Sequence, residues 1–164
     1  MTITPFKAKI SPEIIADLKE RLARTRWPDE ISGSGWNYGT NLAYLRELAA
    51  YWQNEFDWNA LEAKLNQYPQ YRAEINGFGL HFLHVPGKGP NPMPLLLSHG
   101  WPSTYLEFSK IIPLLTDPAS FGGNAEDAFE VIAPSLPGYG FSDRPSQRGM
   151  STTKMAELFN HLLT

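Results

Sequence analysis

Leu95-Leu-Leu-Ser-His-Gly-Trp-Pro102 is the stretch that decides the fold class of this 164-residue chain. Its first half, Leu95 to Ser98, is short and apolar, as expected for a strand whose two faces are covered by helices in a parallel sheet. In its second half, Gly100 lets the backbone turn sharply and Pro102 fixes one torsion. A strand that ends in such a turn, followed by a helix, predicts an α/β fold, in which ligands bind at the carboxyl ends of strands.

The backbone amide of Trp101 is the candidate for chemistry in this turn. We expect it to point into a cleft close to the start of the next helix, where an N–H group stabilises a developing negative oxygen. That helix is expected to be capped by Ser103 or Thr104, and Thr104 with Glu107 has the spacing of a capping box. The residues predicted for its buried face are Phe108, Ile111, Ile112 and Leu115. A purely structural turn uses the same residue types, so this segment alone leaves both interpretations open.

Strands and helices are predicted on both sides of this turn. Residues 73–85 have the pattern of a β-hairpin around Asn76-Gly77, a dipeptide that tolerates the positive φ angles of a tight turn. Downstream, Phe129 to Ala133 forms a further strand, and a last helix begins near Ser151. The apolar face of that helix consists of Met155, Leu158, Phe159 and Leu162. This order predicts the opening of an α/β sheet with right-handed crossovers.

Residues 1 to about 70 are predicted to form helices and connecting turns. Ser11-Pro12-Glu13 combines an N-cap hydroxyl, a proline at the first helical position and an acid near the positive helix end. A second helix is expected after Asn41 and a third after Asp57. The residues expected to face inward are Ile14, Leu18 and Leu22 in the first helix, and Leu42, Leu45, Ala49 and Trp52 in the second.

A second motif, Ala133-Pro-Ser-Leu-Pro-Gly-Tyr-Gly-Phe-Ser-Asp143, follows the first by about 35 residues. Together with residues 99–102 it resembles the epoxide hydrolases of the α/β-hydrolase superfamily, and the match is closest to the microsomal-type branch. Upstream segments are similar to the helical extension that precedes the hydrolase core in that branch: Thr25-Arg-Trp-Pro-Asp29, Trp36-Asn-Tyr-Gly39, Tyr51-Trp52, Asp57-Trp58 and Leu65-Asn-Gln-Tyr-Pro-Gln70. The resemblance implies a helical extension over residues 1–70 and part of the hydrolase core over residues 71–164.

The resemblance also implies a reaction and its site residues. The family hydrolyses an epoxide to a vicinal diol through an ester on an aspartate, and the amide matching Trp101 forms half of the oxyanion hole during hydrolysis of that ester. His99, Gly100 and Pro102 would shape the turn. Tyr139 and Phe141 are candidates for the pocket lining, with packing in the core as the alternative. The family implies no metal and no cofactor, and its substrate partner is a small-molecule epoxide.

The nucleophile of that reaction is absent from the sequence. A nucleophile elbow needs Gly-x-nucleophile-x-Gly between a strand and a helix, and no such pattern occurs. The last helix reaches Thr164 with no glycine or basic turn to end it. We therefore expect a chain cut before the nucleophile, the His base, its acid partner and two lid tyrosines, inactive by itself. The same cut would leave the strand Leu95–Ser98 with an unpaired edge, which allows self-association.

The other ionisable side chains are not expected to take part in chemistry. We expect His81 and His84 at the surface or edge of the hairpin, His161 exposed on the last helix, and Asp143 as a solvated turn residue. His99 is expected to act as scaffold. No pair of histidines has metal-ligand spacing backed by a carboxylate, which predicts no metal site.

Composition excludes several classes of protein. With 42% hydrophobic and 19% charged residues, the chain can bury a core, and a net charge of −3 without basic runs argues against nucleic-acid binding. No cysteine is present, which rules out disulfides and thiolate sites. The first residues lack the pattern of a signal peptide and no stretch has the length of a membrane helix. We therefore expect a cytoplasmic protein without a membrane anchor.

Two alternatives to the epoxide hydrolase portion stay open. One is a non-catalytic interaction module that pairs with a full-length hydrolase through the open sheet edge. The other is a portion of a different α/β-hydrolase, such as a haloalkane dehalogenase or a serine hydrolase, because those enzymes also carry His-Gly-x-Pro. The tryptophan- and tyrosine-rich N-terminal region favours the epoxide branch.

Overall fold

The computed structural model describes all 164 residues, and the chain divides into two compact units. The first unit combines Met1–Ala8 with Leu65–Thr164 and contains the sheet. The second unit is Lys9–Lys64 and is helical.

The helical unit begins its helices where the sequence predicts them. Its helices are α1 (Pro12–Ala23), α2 (Leu42–Asn54) and α3 (Trp58–Leu65), of which the last runs into the sheet unit. The side chains of Ser11, Asn41 and Asp57 cap these helices, because each accepts a hydrogen bond from the backbone N–H three residues later. These bonds satisfy N–H groups that have no partner inside the helix.

The predicted inward faces of α1 and α2 are only partly correct. Ile14 is 63% exposed and Trp52 is 41% exposed, whereas Leu18, Leu22 and Leu45 are half-buried. No residue of either helix is fully buried. Both helices are short and contact each other. This contact buries only part of the apolar face of each helix.

The sheet unit contains a mixed sheet of five strands in the order β1-β2-β3-β5-β4. Its strands are β1 (Thr2–Phe6), β2 (Gln70–Ile75), β3 (Phe78–Val85), β4 (Met93–Leu96) and β5 (Phe129–Pro134). The pairs β1–β2, β2–β3 and β3–β5 are antiparallel, and the pair β4–β5 is parallel. This is the partial α/β sheet that the sequence predicts.

Strand β1 was not predicted, because residues 1–70 suggest only helices and turns. It pairs antiparallel with β2 from Thr2 opposite Glu74 to Phe6 opposite Gln70. The strand has no hydrophobic alternation to reveal it, since only Phe6 is even half-buried. Pro5 is tolerated because β1 lies at an edge of the sheet, where a missing N–H need not break a ladder.

The hairpin between β2 and β3 agrees with the prediction. Asn76 has a φ of 52° and Gly77 a φ of 79°, which are the positive angles of the two-residue turn that matches strand twist. Ile75 lies opposite Phe78 beside the turn, so the register of the sheet is set at this point.

Strand β4 and the helix after the turn differ from the prediction. β4 starts and ends two residues earlier than Leu95–Ser98, and it is a half-exposed terminal strand, not a strand covered on both faces. The single predicted helix is a 3-10 helix (Tyr105–Lys110) followed by α4 (Ile112–Thr116), with Ile111 44% exposed between them. Pro113 cannot donate to the carbonyl of Ser109, which accepts instead from the Tyr68 hydroxyl at 3.0 Å.

The core on one face of the sheet is closed by α5 (Thr152–Leu163), which begins after its Ser151 cap as predicted. Leu158 and Phe159 of α5 are buried against Ile75, Leu80 and Phe82 of the hairpin. Burial of such side chains contributes on the order of 2 kcal/mol each. The predicted apolar face of the last helix is therefore confirmed.

His81 was expected near the surface, and that expectation is wrong. The residue has no exposed area, and its ring packs among Phe6, Tyr105 and Phe141 with centroid distances of 5.0 to 5.3 Å. Its Nδ1 lies 2.8 Å from Ser135 Oγ and its Nε2 lies 2.9 Å from Gln70 Oε1. Gln70 Oε1 can only accept, and Gln70 Nε2 donates to the carbonyl of Leu65, so His81 Nε2 carries the proton toward Gln70 and Nδ1 accepts from Ser135. The neutral ring is thus fully hydrogen-bonded.

His81 is expected to make the free energy of unfolding depend on pH. Burial, with a smaller effect of Arg72, lowers the pKa of His81 to about 4 from 6.5. Between these values the unfolded chain binds a proton that the folded chain does not, so stability falls as the pH falls from 6.5 toward 4. The expected loss is about 3 kcal/mol over that interval.

Urea unfolding of the wild type and of His81→Gln at several pH values measures the contribution of His81 to the free energy of unfolding. The carboxylates titrate in both proteins, so their contribution drops out of the difference. The exposed His161 serves as the matched control, through His161→Gln. Parallel pH dependences for the wild type and His81→Gln would contradict the prediction.

Candidate functional site

The turn that carries the candidate amide lies at the carboxyl end of β4. Leu97 still donates to Ile132 of β5 at 2.9 Å, and Ser103 donates to the carbonyl of Gly100 at 2.8 Å to close the turn. The peptide bond between Trp101 and Pro102 is cis. The N–H of Trp101 makes no hydrogen bond with the rest of the chain, and the Trp101 side chain is 82% exposed.

His99 connects this turn to the second motif. The residue is 3% exposed, and its Nε2 accepts a hydrogen bond from the backbone N–H of Leu136 at 3.1 Å. Nδ1 then carries the proton and lies 3.3 Å from the carbonyl of Gly100. The ring also packs edge-on against Tyr139, with centroids 5.4 Å apart. Because both nitrogens are engaged, His99 acts as a scaffold, as its position in the sequence suggests.

The second motif is held against strand β3 by a set of short hydrogen bonds. Ser135 donates through its N–H to the carbonyl of His81 at 2.8 Å, and the Ser142 hydroxyl donates to the carbonyl of Ser135 at 2.7 Å. The N–H of His81 in turn donates to Ser142 Oγ at 2.9 Å. Gly140 has a φ of 51°, and a Cβ there would lie 2.7 Å from Ser135 Oγ, so only glycine fits between the two serines.

Asp143 was expected to be a solvated turn residue, and 44% of its side chain is exposed, but the carboxylate has partners that the sequence did not reveal. Its carboxylate pairs with the guanidinium of Arg72 and accepts from the N–H of Gly79 at 2.8 Å, while Arg72 also donates to the carbonyl of Phe141 at 2.8 Å. These hydrogen bonds, that from Arg72 first, hold the pKa of Asp143 below its usual value. The residue therefore anchors the end of the second motif to the β2–β3 hairpin.

The candidate site residues separate into two groups. His99, Gly100, Trp101 and Pro102 form one turn, and Tyr139 lies beside it against His99. Phe141 lies on the other side of the loop, where its ring packs against Phe6, His81 and Tyr105 with centroid distances of 5.1 to 6.4 Å. Tyr139 therefore lies beside the Trp101 turn, whereas Phe141 packs among other aromatic rings.

Several residues of the arrangement were missed from the sequence. Gln70 and Ser135 are 4% and 0% exposed and support the loop through His81. Arg72 was missed as the partner of Asp143. The burial of His81 follows once β3 is known to lie inside the sheet, because a strand that is covered on both faces has no solvent-facing position.

The chemistry available here is the donation of one hydrogen bond from an exposed backbone amide. The carboxylate of Asp143 is committed to Arg72, and the ring of His99 to Leu136 and Gly100. No group of three or more acidic or histidine side chains is placed to hold a metal ion. No helix has both the length and the apolar character needed to cross a membrane.

Comparison with protein families identifies two matching regions. Residues 3–108 match the family described as epoxide hydrolase N terminus, and residues 93–164 match the family described as alpha/beta hydrolase fold. The two regions overlap on β4, the Trp101 turn and the start of the helical segment that follows.

Individual relatives agree with these families. The chain is 49% identical over 161 residues to a putative epoxide hydrolase of Stigmatella aurantiaca, which covers 98% of this chain and 37% of the relative. It is 45% identical over 168 residues to epoxide hydrolase 1 of Oryctolagus cuniculus, which covers 99% of this chain and 36% of the relative. Juvenile hormone epoxide hydrolase of Bombyx mori superposes with a TM-score of 0.86 at 37% identity, over 99% of this chain and 38% of that one. The chain thus spans little more than a third of the length of these relatives.

Amide hydrogen exchange is expected to distinguish the two backbone groups of the site. The Trp101 amide should exchange close to the rate of an unstructured peptide because it has no partner, whereas the Leu136 amide should be protected by His99. His99→Ala should speed exchange at Leu136 by roughly fivefold, since a buried hydrogen bond contributes on the order of 1 kcal/mol.

Exchange followed by NMR on the folded protein measures both rates. His161→Ala is the control, because it removes an exposed imidazole and should leave Leu136 unchanged. Protection of Trp101 equal to that of Leu136 would show that the amide is not free.

Proposed function

Because the chain belongs to the epoxide hydrolase family and corresponds to its N-terminal portion, we propose that it provides the oxyanion-binding turn of an enzyme that hydrolyses epoxides to vicinal diols. The observation that carries this proposal is the unpaired N–H of Trp101 at the carboxyl end of β4. Ligands of α/β sheets bind at that end of the strands.

The proposed reaction has two steps. An aspartate carboxylate, contributed by residues outside this chain, attacks one epoxide carbon and forms an ester, while the epoxide oxygen takes up a proton and becomes a hydroxyl. Water then gives up a proton and attacks the ester carbonyl, whose oxygen becomes anionic. The bond between the carbonyl carbon and the alcohol oxygen breaks, the alcohol oxygen takes up a proton, and the diol leaves while the aspartate carboxylate is regenerated. The second proton of the water replaces the one that the epoxide oxygen took up.

The Trp101 amide would act in the second step. An N–H donor already aimed at the place where negative charge develops stabilises the transition state without reorganising. His99 would be a positioning residue, because it holds the carbonyl of Gly100 on one side of the turn and the amide of Leu136 on the other. The Gly100 carbonyl belongs to the same peptide unit as the Trp101 N–H, so His99 would orient the donor through it.

We further propose that residues 1–70 act as the helical extension of the enzyme and residues 71–164 as part of its hydrolase core. The match of residues 3–108 to the epoxide hydrolase N terminus supports the epoxide reaction over that of a haloalkane dehalogenase or a serine hydrolase. The substrate partner would be a small-molecule epoxide, bound without metal or cofactor.

The 164-residue polypeptide alone is expected to show no turnover above background. It lacks a nucleophile elbow, and the carboxylate of Asp143, at the end of the second motif, is paired with Arg72. Formation of diol from styrene oxide, measured by chromatography against buffer, tests this. Turnover that a single substitution within residues 1–164 abolishes would refute the expectation.

A chimera tests the role of the Trp101 amide. In the chimera, residues 1–164 of this chain replace the matching part of the Stigmatella aurantiaca relative. Diol formation by the chimera is then measured. Trp101→Pro deletes the N–H and should lower kcat roughly 100-fold or more. Trp101→Ala keeps the N–H, removes only an exposed side chain, and should retain most of the activity.

The two substitutions give opposite results only if the backbone group is what matters. Equal losses in Trp101→Pro and Trp101→Ala would assign the function to the indole ring. A chimera that folds but forms no diol would argue against the epoxide reaction itself.

A further inference from the structure

The turn between β2 and β3 is the one place in the chain where glycine follows asparagine. Asn76 and Gly77 are both exposed, and both have positive φ angles. The side-chain amides of Asn41 and Asn124 accept hydrogen bonds as helix caps, whereas that of Asn76 bonds to no other residue, and neither does the Gly77 N–H. A carbonyl carbon and a backbone nitrogen able to attack it are therefore adjacent and free of other hydrogen bonds.

We propose that Asn76 is a site of spontaneous deamidation in the folded protein, since asparagine is among the chemically labile residues. The Gly77 nitrogen gives up its proton and attacks Cγ of Asn76. The bond between Cγ and Nδ2 breaks, and the amide nitrogen takes up that proton and leaves as ammonia. Water then adds to one of the two carbonyl carbons of the resulting succinimide ring and breaks the bond from that carbon to nitrogen. The product is aspartate or isoaspartate, whose acid group loses its proton.

The glycine after Asn76 makes ring closure accessible. Closure brings the next residue against the asparagine side chain, where a Cβ atom would crowd the ring, and glycine has none. No atom of the protein lies within 4 Å of the place where a Cβ of Gly77 would stand. An open cleft of about 310 Å³, lined in part by Asn76, Gly77 and Arg148, lies beside the turn and admits water to the succinimide carbonyls.

The turn must open for the ring to close. In the left-handed conformation of Asn76, the Gly77 nitrogen points away from the Asn76 side chain, so the bond between Cα and the carbonyl carbon must rotate. Only the pair of Ile75 and Phe78 closes this end of the ladder, and the end of a ladder opens at a much lower free energy than the whole domain. Deamidation therefore proceeds from a locally opened turn while the rest of β2 and β3 stays paired.

Isoaspartate changes the turn, because its main chain passes through Cβ and Cγ and is one methylene longer. A two-residue turn matches the twist of its strands only with ordinary backbone spacing. Ile75 and Phe78, on either side of the turn, pack in the core with α5, and the Gly79 N–H donates to the Asp143 carboxylate at 2.8 Å. The modification therefore loosens the hairpin and its hold on the second motif.

Peptide mapping by mass spectrometry of the folded 164-residue protein, aged in mildly alkaline buffer, tests the proposal. Asn76 should deamidate roughly tenfold faster than Asn124 or more, because Asn124 is also exposed but is followed by alanine. Isoaspartyl methyltransferase should methylate the aged wild type but not aged Asn76→Gly, which keeps a turn with positive φ and lacks the carboxamide. A rate at Asn76 no higher than at Asn124, or deamidation only after urea has unfolded the protein, overturns the proposal.

Urea unfolding of the purified isoaspartyl form tests the effect on the hairpin. This form should unfold at a lower urea concentration than the wild type. Asn76→Asp is the matched control, because it brings the same charge on an ordinary backbone and aspartate tolerates the left-handed region. It should unfold close to the wild-type midpoint. Equal midpoints for the isoaspartyl form and Asn76→Asp would overturn the inference that the longer main chain loosens the hairpin.

Discussion

The hydrogen bond from the Leu136 amide to the imidazole of His99 is the contact on which the site depends. It joins two loops that leave neighbouring parallel strands, β4 and β5, and neither loop has regular secondary structure to hold it. The ring is buried, so the bond is not exchanged for water. Nδ1 of the same ring faces the Gly100 carbonyl, which belongs to the same peptide unit as the Trp101 N–H, so one side chain helps to orient that peptide. The free amide is a consequence of this arrangement.

A second set of polar contacts fixes the loop that follows β5. His81, Ser135 and Gln70 are buried together and connect β2, β3 and the start of the second loop. Arg72 and Asp143 connect the end of that loop to the hairpin. Tyr105, which packs against His81, brings a buried hydroxyl without a partner, and burial raises its pKa to about 12. The loop is therefore fixed at both ends by polar contacts, and Gly140 is required where it passes closest to Ser135.

Local signals in the sequence predicted most elements and long-range pairing decided the rest. The cap at Ser11, the helix starts after Asn41 and near Ser151, and the turn at Asn76-Gly77 are short-range effects, and all four are confirmed. Strand β1 was missed because its residues form a strand only through pairing with β2, about 70 residues away. His81 was placed wrongly, and the pairing of Asp143 was missed, for the same reason, since their partners Gln70, Ser135 and Arg72 come from other strands and loops. The Trp101 turn could be recognised because strand, turn and helix are contiguous, whereas its bond to Leu136 could not.

The position of β5 in the sheet has a consequence for how the chain folds as it is synthesised. β5 lies between β3 and β4 although it leaves the ribosome after both of them. Until residue 134 has emerged, β3 and β4 each have an edge that is unpaired because β5 is not yet available. Insertion of a central strand last is a nonlocal step, slow compared with hairpin formation. During that interval the nascent chain exposes the surfaces that chaperones bind, so translation speed between residues 97 and 134 should govern how much of it reaches the native sheet.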